Sequence, residues 1–119
     1  DNLEERVLKS DLSDLDLFEG SYYDVLLGSV STDNTEMLSH LIKDRTNPSE
    51  IIIVVNERET LSAIVSVGEG VKEVSAGDLV QAFSDEYGGG GGGTKEFAQG
   101  GGFNTNPDEL LNYSRNLLL

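Results

Sequence analysis

The chain has 119 residues and a formal net charge of −14, from 22 acidic and 8 basic side chains. This length suffices for the core of one domain, and the absence of cysteine excludes disulfides, thiol nucleophiles and thiolate metal sites. The negative charge argues against non-specific binding of nucleic acid, although it leaves room for a specific, locally basic contact. No apolar run reaches about 18 residues and no signal peptide opens the chain, so we expect a soluble protein without a membrane partner.

Residues 1–20 are expected to form the end of an upstream helical stalk and a connector. The chain opens on Asp1 rather than methionine, so we expect it to be a fragment of a longer protein. Leu3, Val7 and Leu8 have the spacing of one helix face. The acidic residues that follow lack the Gly and Glu positions of a calcium loop, and we interpret them as a solvated connector. They are Asp11, Asp14, Asp16 and Glu19. The globular domain is predicted over residues 21–119.

The first half of this domain has the pattern of a strand, a helix and a hairpin. DVLLGSV, residues 24–30, predicts a buried strand. In the helix that follows, Asp33 and Glu36 have capping-box spacing and Pro48 lies beyond the end. Its inward face is predicted to contain Met37, Leu38, Leu41 and Ile42. Two β-branched runs, 51–55 and 61–67, flank the turn NERET and predict a hairpin with a loop of about five residues. The run 51–55 does not alternate, so we expect both of its faces to be covered.

The second half contains two helices on either side of a glycine-rich segment. Ser75 and Asp78 have capping-box spacing at the start of the first helix, which is expected to direct Leu79, Val80, Phe83 and Tyr87 inward. The last helix has Asn106 as its cap and Pro107 at its first position, with Leu110, Leu111, Ser114, Leu117 and Leu118 on its buried face. The predicted order is β-α-β-β-α-Gly loop-(β)-α, with FAQGGGF as the optional short strand. This order defines a small mixed α/β sheet domain with packed helices.

The glycine-rich segment, DEYGGGGGGTKEFAQGGGF, contains one block at 88–93 and a second at 100–102. A flexible linker is disfavoured, because the segment lies between two core-forming helices and only 16 residues follow it. Ordered glycine costs roughly 1 kcal/mol relative to alanine, so it needs a reason: positive φ, close backbone approach or exposed amides that bind an anion. We expect the first block to be an ordered or semi-ordered loop at one edge of the domain, and the second to run beside the sheet. Alanine at 100–102 should therefore destabilise the fold, whereas alanine at 89–92 should spare stability and weaken binding.

The two blocks together, GGGGGG followed by TKEF and AQGGG, resemble the signature of the DHH-associated domain, in the form that ends the alanyl-tRNA synthetases. The resemblance covers residues 21–119. It implies a cytoplasmic, non-catalytic domain that helps to bind tRNA(Ala), couples aminoacylation with editing and contributes to a homodimer. It also implies other domains of the same synthetase as partners, and ATP, Mg and Zn as cofactors of the parent enzyme but not of this fragment. A related domain ends the RecJ-like DHH phosphoesterases, usually with a His after the glycines. This chain lacks that His, so an accessory nucleic-acid-binding domain of such an enzyme is the alternative.

The residues that this resemblance implies for tRNA or phosphate binding all lie in the glycine-rich segment. They are Gly88, Gly89, Gly90, Gly91, Gly92, Gly93, Thr94, Lys95, Gln99, Gly100, Gly101 and Gly102. Lys95 can add a cation to the backbone amides, or it can be an ordinary surface lysine.

Outside this segment, the residues give no set for catalysis or metal binding. His40 is the only histidine and is expected to be solvated. With no cysteine, one histidine cannot supply a zinc site. The tyrosines Tyr22, Tyr23 and Tyr87 can stack on bases, or they can belong to the half-buried core.

Overall fold

The computed structural model describes residues 2–119, in which a six-stranded mixed sheet carries two helices on each face. The elements in chain order are α1 (Asn2–Ser13), β1 (Asp16–Glu19), β2 (Asp24–Val30), α2 (Thr35–Arg45), β3 (Glu50–Glu57), β4 (Leu61–Val67), α3 (Ala76–Tyr87), β5 (Gly90–Gly93), β6 (Phe97–Gly101) and α4 (Pro107–Leu118). The strands lie in the order β1-β2-β3-β4-β6-β5. Only the β2–β3 pair is parallel, and the other four pairs are antiparallel. The predicted mixed α/β class is confirmed.

The sheet is buried on both faces because its central strands have apolar side chains at successive positions. Ile51, Ile53 and Val55 of β3 face the core formed with α3 and α4. Ile52 and Val54 of the same strand face the core formed with α1 and α2. The predicted double coverage of the run 51–55 is therefore confirmed. Among residues 2–119, no helix combines the length and the apolar composition needed to cross a membrane.

Side-chain caps start three of the helices. Ser75 Oγ accepts from the Asp78 amide at 3.4 Å, and Asn106 Oδ1 accepts from the Glu109 amide at 2.9 Å, as predicted. The predicted use of Asp33 is wrong, because α2 is capped one residue later. Asn34 Oδ1 accepts from the Met37 amide at 3.1 Å.

The buried face of α4 is narrower than predicted. Leu110, Ser114 and Leu118 are buried, and Leu111 packs at the edge of the core. Leu117 is 45 % exposed, so its predicted burial is wrong. Residues spaced by three and four positions form this stripe, and Leu117 lies outside it.

The β3–β4 loop is shorter than predicted, because Asn56 belongs to the strand rather than the turn. Its side chain is 2 % exposed, and it bonds both backbone groups of Thr32. Thr32 N donates to Asn56 Oδ1 at 3.0 Å, and Asn56 Nδ2 donates to Thr32 O at 2.9 Å. Asn56, which the sequence suggested was part of a turn, is instead buried in β3 and hydrogen-bonds this strand to the loop after β2.

Residues 2–20 belong to the same fold as the remainder of the chain. Leu8 and Leu12 of α1 are buried in the core beside α2, and β1 pairs with β2 along the sheet edge. Sequence analysis did not predict β1, because its mostly exposed residues carry little pattern of burial. Whether this segment also ends an upstream stalk stays a prediction.

Candidate functional site

The glycine-rich segment folds into a β-hairpin at the edge of the sheet, which we call the glycine hairpin (residues 88–102). β6 lies between β4 and β5, and β5 is the outermost strand. The register pairs Gly91 with Gly100 and Gly92 with Gln99. The short strand expected in FAQGGGF is therefore present, whereas the expected loop at 88–93 is a strand over most of its length. Pairing with β6 makes residues 90–93 a strand, because glycine alone has a poor strand propensity.

Four glycines of the first block are required by the fold itself. Gly88 has a φ of 82°, and a Cβ on Gly93 would overlap Phe97 O. Gly89 has a φ of 84°, in the left-handed region that side chains resist. A Cβ on Gly89 would overlap Gly101 O, and a Cβ on Gly91 would overlap Gly100 Cα across the strand pair. In the second block, a Cβ on Gly100 would lie 2.7 Å from Gly90 O and 2.8 Å from Val80 Cγ1. Close backbone approach explains these positions.

Gly90 and Gly92 are different, because the fold does not require them to be glycine. Neither has a positive φ, and a Cβ on either residue would meet no atom within 4 Å. All four residues of β5 are exposed. Alternate residues of an edge strand direct their amides and carbonyls away from the neighbouring strand. The hairpin therefore presents an outer backbone edge with no side chain in front of it.

The turn of the hairpin, residues 94–96, is fixed by bonds to its own strand and to α3. Thr94 N donates to Phe97 O at 2.8 Å, and Phe97 N donates to Thr94 Oγ1 at 3.2 Å. The first amides of α3 donate to the turn: Ala76 N to Lys95 O at 2.7 Å, and Gly77 N to Thr94 O at 2.9 Å. The N-terminus of α3 is thus occupied by the turn. An anion at this end would have to use other donors.

The predicted binding residues all lie on this one hairpin. Thr94, Lys95 and Gln99 are exposed, and Lys95 Nζ donates to Val71 O at 2.9 Å. Sequence analysis did not predict the contact between this hairpin and Lys43 of α2, whose Nζ lies 4.3 Å from the centroid of the Phe97 ring. Residues 43 and 97 are far apart along the chain, so no local pattern joins them. The binding role of the hairpin residues stays a prediction.

The remaining candidates lie away from the glycine hairpin. His40 is exposed on α2, with Nε2 at 3.4 Å from Asp44 Oδ2. Burial, followed by the charge of Glu73, raises the pKa of Tyr23, whose hydroxyl donates to Leu118 O at 3.0 Å. Tyr22 is 82 % exposed. Over residues 2–119, no group of three or more His, Asp or Glu side chains could hold a metal ion.

Comparison with known proteins identifies the family to which this hairpin and sheet belong. The DHHA1 domain profile matches residues 26–118. The chain therefore belongs to the DHHA1 domain family.

Within that family, the chain is similar to part of the alanine–tRNA ligases. It is 36 % identical over 81 residues to the alanine–tRNA ligase of Acidothermus cellulolyticus, which covers 66 % of this chain and 9 % of the relative. It is 33 % identical over 76 residues to the alanine–tRNA ligase of Psychrobacter cryohalolentis, and this match covers 63 % of this chain and 8 % of the relative. The chain thus spans less than a tenth of the length of these relatives.

Two solved structures have the same fold. The C-Ala domain of Aquifex aeolicus alanyl-tRNA synthetase matches with a TM-score of 0.74 at 18 % identity, over 87 % of this chain and 98 % of that one. The second is a DHH domain structure from a protein described as a member of the s1p family of ribosomal proteins. It matches with a TM-score of 0.62 at 14 % identity, over 98 % of this chain and 30 % of that one. The resemblance carried by the two glycine blocks is confirmed.

Proposed function

We propose that the chain is the C-terminal accessory domain of an alanyl-tRNA synthetase and that it helps to bind tRNA(Ala). The observation that carries the proposal is the 36 % identity to an alanine–tRNA ligase, over 81 residues that make up 9 % of that enzyme. The fold of the C-Ala domain supports the same assignment. The domain would couple aminoacylation with editing beside the other domains of the synthetase, in a cytoplasmic enzyme that forms a homodimer. ATP, Mg and Zn would serve the parent enzyme, and this domain would be non-catalytic.

The proposed mechanism is recognition of the RNA backbone by the outer edge of the glycine hairpin. The exposed β5 has no side chains, so a phosphate or ribose can approach its amides closely. Such contacts fix the position of the RNA but do not read its bases. Selectivity for one tRNA would come from the shape of the folded RNA and from the other domains of the synthetase.

The test compares tRNA(Ala) with an unrelated RNA duplex in a low-salt binding titration of the 119-residue chain. We expect tighter binding of tRNA(Ala). We also expect slower charging and weaker editing when the domain is deleted from the full synthetase. Equal binding of both RNAs, together with unchanged charging after the deletion, would refute the proposal.

The alternative is an accessory domain of a RecJ-like DHH phosphoesterase, which the fold of the related DHH domain favours. The sequence upstream of residue 1 in the parent protein distinguishes the two. An Asp-His-His motif with further aspartates would favour the phosphoesterase. A Cys/His editing pattern would favour the synthetase.

A further inference from the structure

We propose that a hollow beside β1 docks a protein segment that carries lysine or arginine next to apolar side chains. This β1 hollow has a volume of about 750 Å³ and is lined by residues 17–23 together with Arg115, Leu118 and Leu119 of the C-terminal end. β1 and the glycine strand β5 are the two opposite edges of the sheet, about 24 Å apart at five strand spacings. The proposal therefore goes beyond the proposed function and does not depend on it.

Three exposed apolar side chains line the β1 hollow. Leu17 and Leu119 are each more than half exposed, and Tyr22 is exposed over most of its surface. Among residues 2–119, only three other large apolar side chains are exposed, and they are Leu3, Val7 and Leu117. Exposed apolar side chains that gather at one hollow are typical of an interaction surface. Their burial against a partner would favour association.

Half-buried aromatic side chains give the hollow a fixed floor. Phe18 and Tyr23 both pack against the core. The Tyr23 hydroxyl donates to Leu118 O at 3.0 Å, and Arg115 Cζ lies 4.7 Å from the centroid of the Phe18 ring. These contacts join β1 and the loop after it to α4. Because the floor is formed in the free chain, a partner would need to order few side chains when it binds.

An acidic pair without a counter-charge lies at the rim. Glu19 lines the hollow and is directly opposite Asp24 in the register of β1 and β2. Like charges in this arrangement destabilise a strand pair. Over residues 2–119, no lysine or arginine nitrogen lies within 4 Å of either carboxylate. A cationic side chain from a partner would relieve this repulsion, which is why we assign lysine or arginine to the docked segment.

The same charges disfavour RNA and a second copy of this chain as the occupant. The single basic residue that lines the hollow is Arg115, and its guanidinium already lies over an aromatic ring. An RNA phosphate would be repelled by the acidic pair. An antiparallel pair of two β1 strands would bring Asp16 of one copy opposite Glu19 of the other, and charged ends discourage pairing of an edge strand. The contact is therefore made by side chains, with a basic protein segment.

The test uses two synthetic helical peptides as probes for the 119-residue chain. One has leucine on one face and lysine on the other, and the second has glutamate in place of every lysine. Titration with the lysine peptide should shift the amide resonances of residues 17–23 and 115–119. The glutamate peptide should bind roughly tenfold more weakly or less tightly still, because it meets the acidic rim with like charge.

Variants of the chain separate the apolar contact from the charged one. Leu17→Ser, Tyr22→Ser and Leu119→Ser, combined, should weaken binding of the lysine peptide by about tenfold or more. The matched control is Val7→Ser, an exposed apolar side chain of α1 that does not line the hollow. It should leave affinity within about twofold, as expected for a surface position outside the contact.

The charge variant is Glu19→Gln with Asp24→Asn, which should weaken binding several-fold and reduce its dependence on salt. Its control is Glu57→Gln with Glu59→Gln, which changes the net charge equally but lies in and beside the β3–β4 turn. This control should have the smaller effect. Equal losses from the two pairs would show general attraction to an acidic chain and would overturn the proposal.

The remaining outcomes are equally decisive. Equal affinity of the two peptides would refute the assignment of a basic partner. Shifts centred on another surface, such as the groove between α1 and α2, or no shifts at all, would refute the site. Shifts of residues 17–23 caused by tRNA(Ala), or by raised protein concentration without peptide, would assign the hollow to RNA or to a second copy and overturn the proposal. None of these results changes the test of the proposed function.

Discussion

At the residue scale, the glycines at 89–92 differ in the space that neighbouring atoms leave for a Cβ. Gly89 and Gly91 face backbone atoms of β6 so closely that a Cβ would overlap them, whereas Gly90 and Gly92 face open space. The expectation that alanine anywhere in 89–92 would spare stability is therefore contradicted by this geometry. Glycines that the fold requires therefore alternate along the strand with glycines that it does not require. Single substitutions can test the two kinds separately.

Gly91→Ala should lower the free energy of unfolding by about 1–3 kcal/mol, the range for a group forced into packed space. Gly90→Ala and Gly92→Ala should change it by less than about 0.5 kcal/mol and should weaken tRNA binding. Urea denaturation and the binding titration measure the two effects separately. An equal loss of stability in all three variants would contradict this assignment.

Also at the residue scale, the start of α2 depends on Asn34 rather than on Asp33. Asn34 caps the helix through Met37 N and also donates from Nδ2 to Glu4 Oε1 at 2.9 Å, which links α2 to α1. Asn34→Ala should cost about 1 kcal/mol, as for other caps. Asp33→Ala is the control and should change stability by less than half of that in thermal denaturation.

At the element scale, β3 and the loop after β2 are joined by the buried amide of Asn56. Removal of this side chain would leave Thr32 N and Thr32 O without their partners. Asn56→Ala should therefore lower the free energy of unfolding by about 2 kcal/mol or more, since each buried unsatisfied group costs about 1–3 kcal/mol. Thr60→Ala in the exposed turn is the comparison. Comparable values for the two variants in urea denaturation would disprove the role of this tie.

At the scale of the whole molecule, the two edges of the sheet have opposite characters. One edge is β1, a strand with acidic residues at both ends, Asp16 and Glu19. The other is β5, a strand of four glycines. An exposed strand edge usually carries charged side chains that discourage pairing with other molecules. β1 has them and β5 does not, which supports β5 as the interaction edge.

Stability of the whole molecule should fall at high pH in part through Tyr23. Burial raises the pKa of its phenol, so the folded state favours the neutral form. This contribution is complete below the ordinary tyrosine value of about 10 and is lost as pH rises through the higher folded pKa. Tyr23→Phe should flatten the decline above pH 10, while it loses about 1 kcal/mol near pH 7 with the bond to Leu118 O.

The matched control for this pH profile is Tyr22→Phe, since Tyr22 is 82 % exposed. We expect it to leave the decline of the unfolding free energy above pH 10 unchanged. Chemical denaturation at several pH values measures the profile. A Tyr23→Phe profile as steep as that of the wild type would rule out this contribution.

The sequence by itself determined the features that depend on near neighbours in the chain. Caps such as Ser75 and Asn106 need only a side-chain oxygen two or three residues from an amide, so spacing predicts them. The buried β3 follows from an uninterrupted apolar run, and the family from the two glycine blocks. Only the tertiary structure decided that residues 90–93 form a strand, because glycine carries no side-chain pattern and its state depends on β6. It also decided which glycines are required, because that depends on contacts between distant parts of the chain.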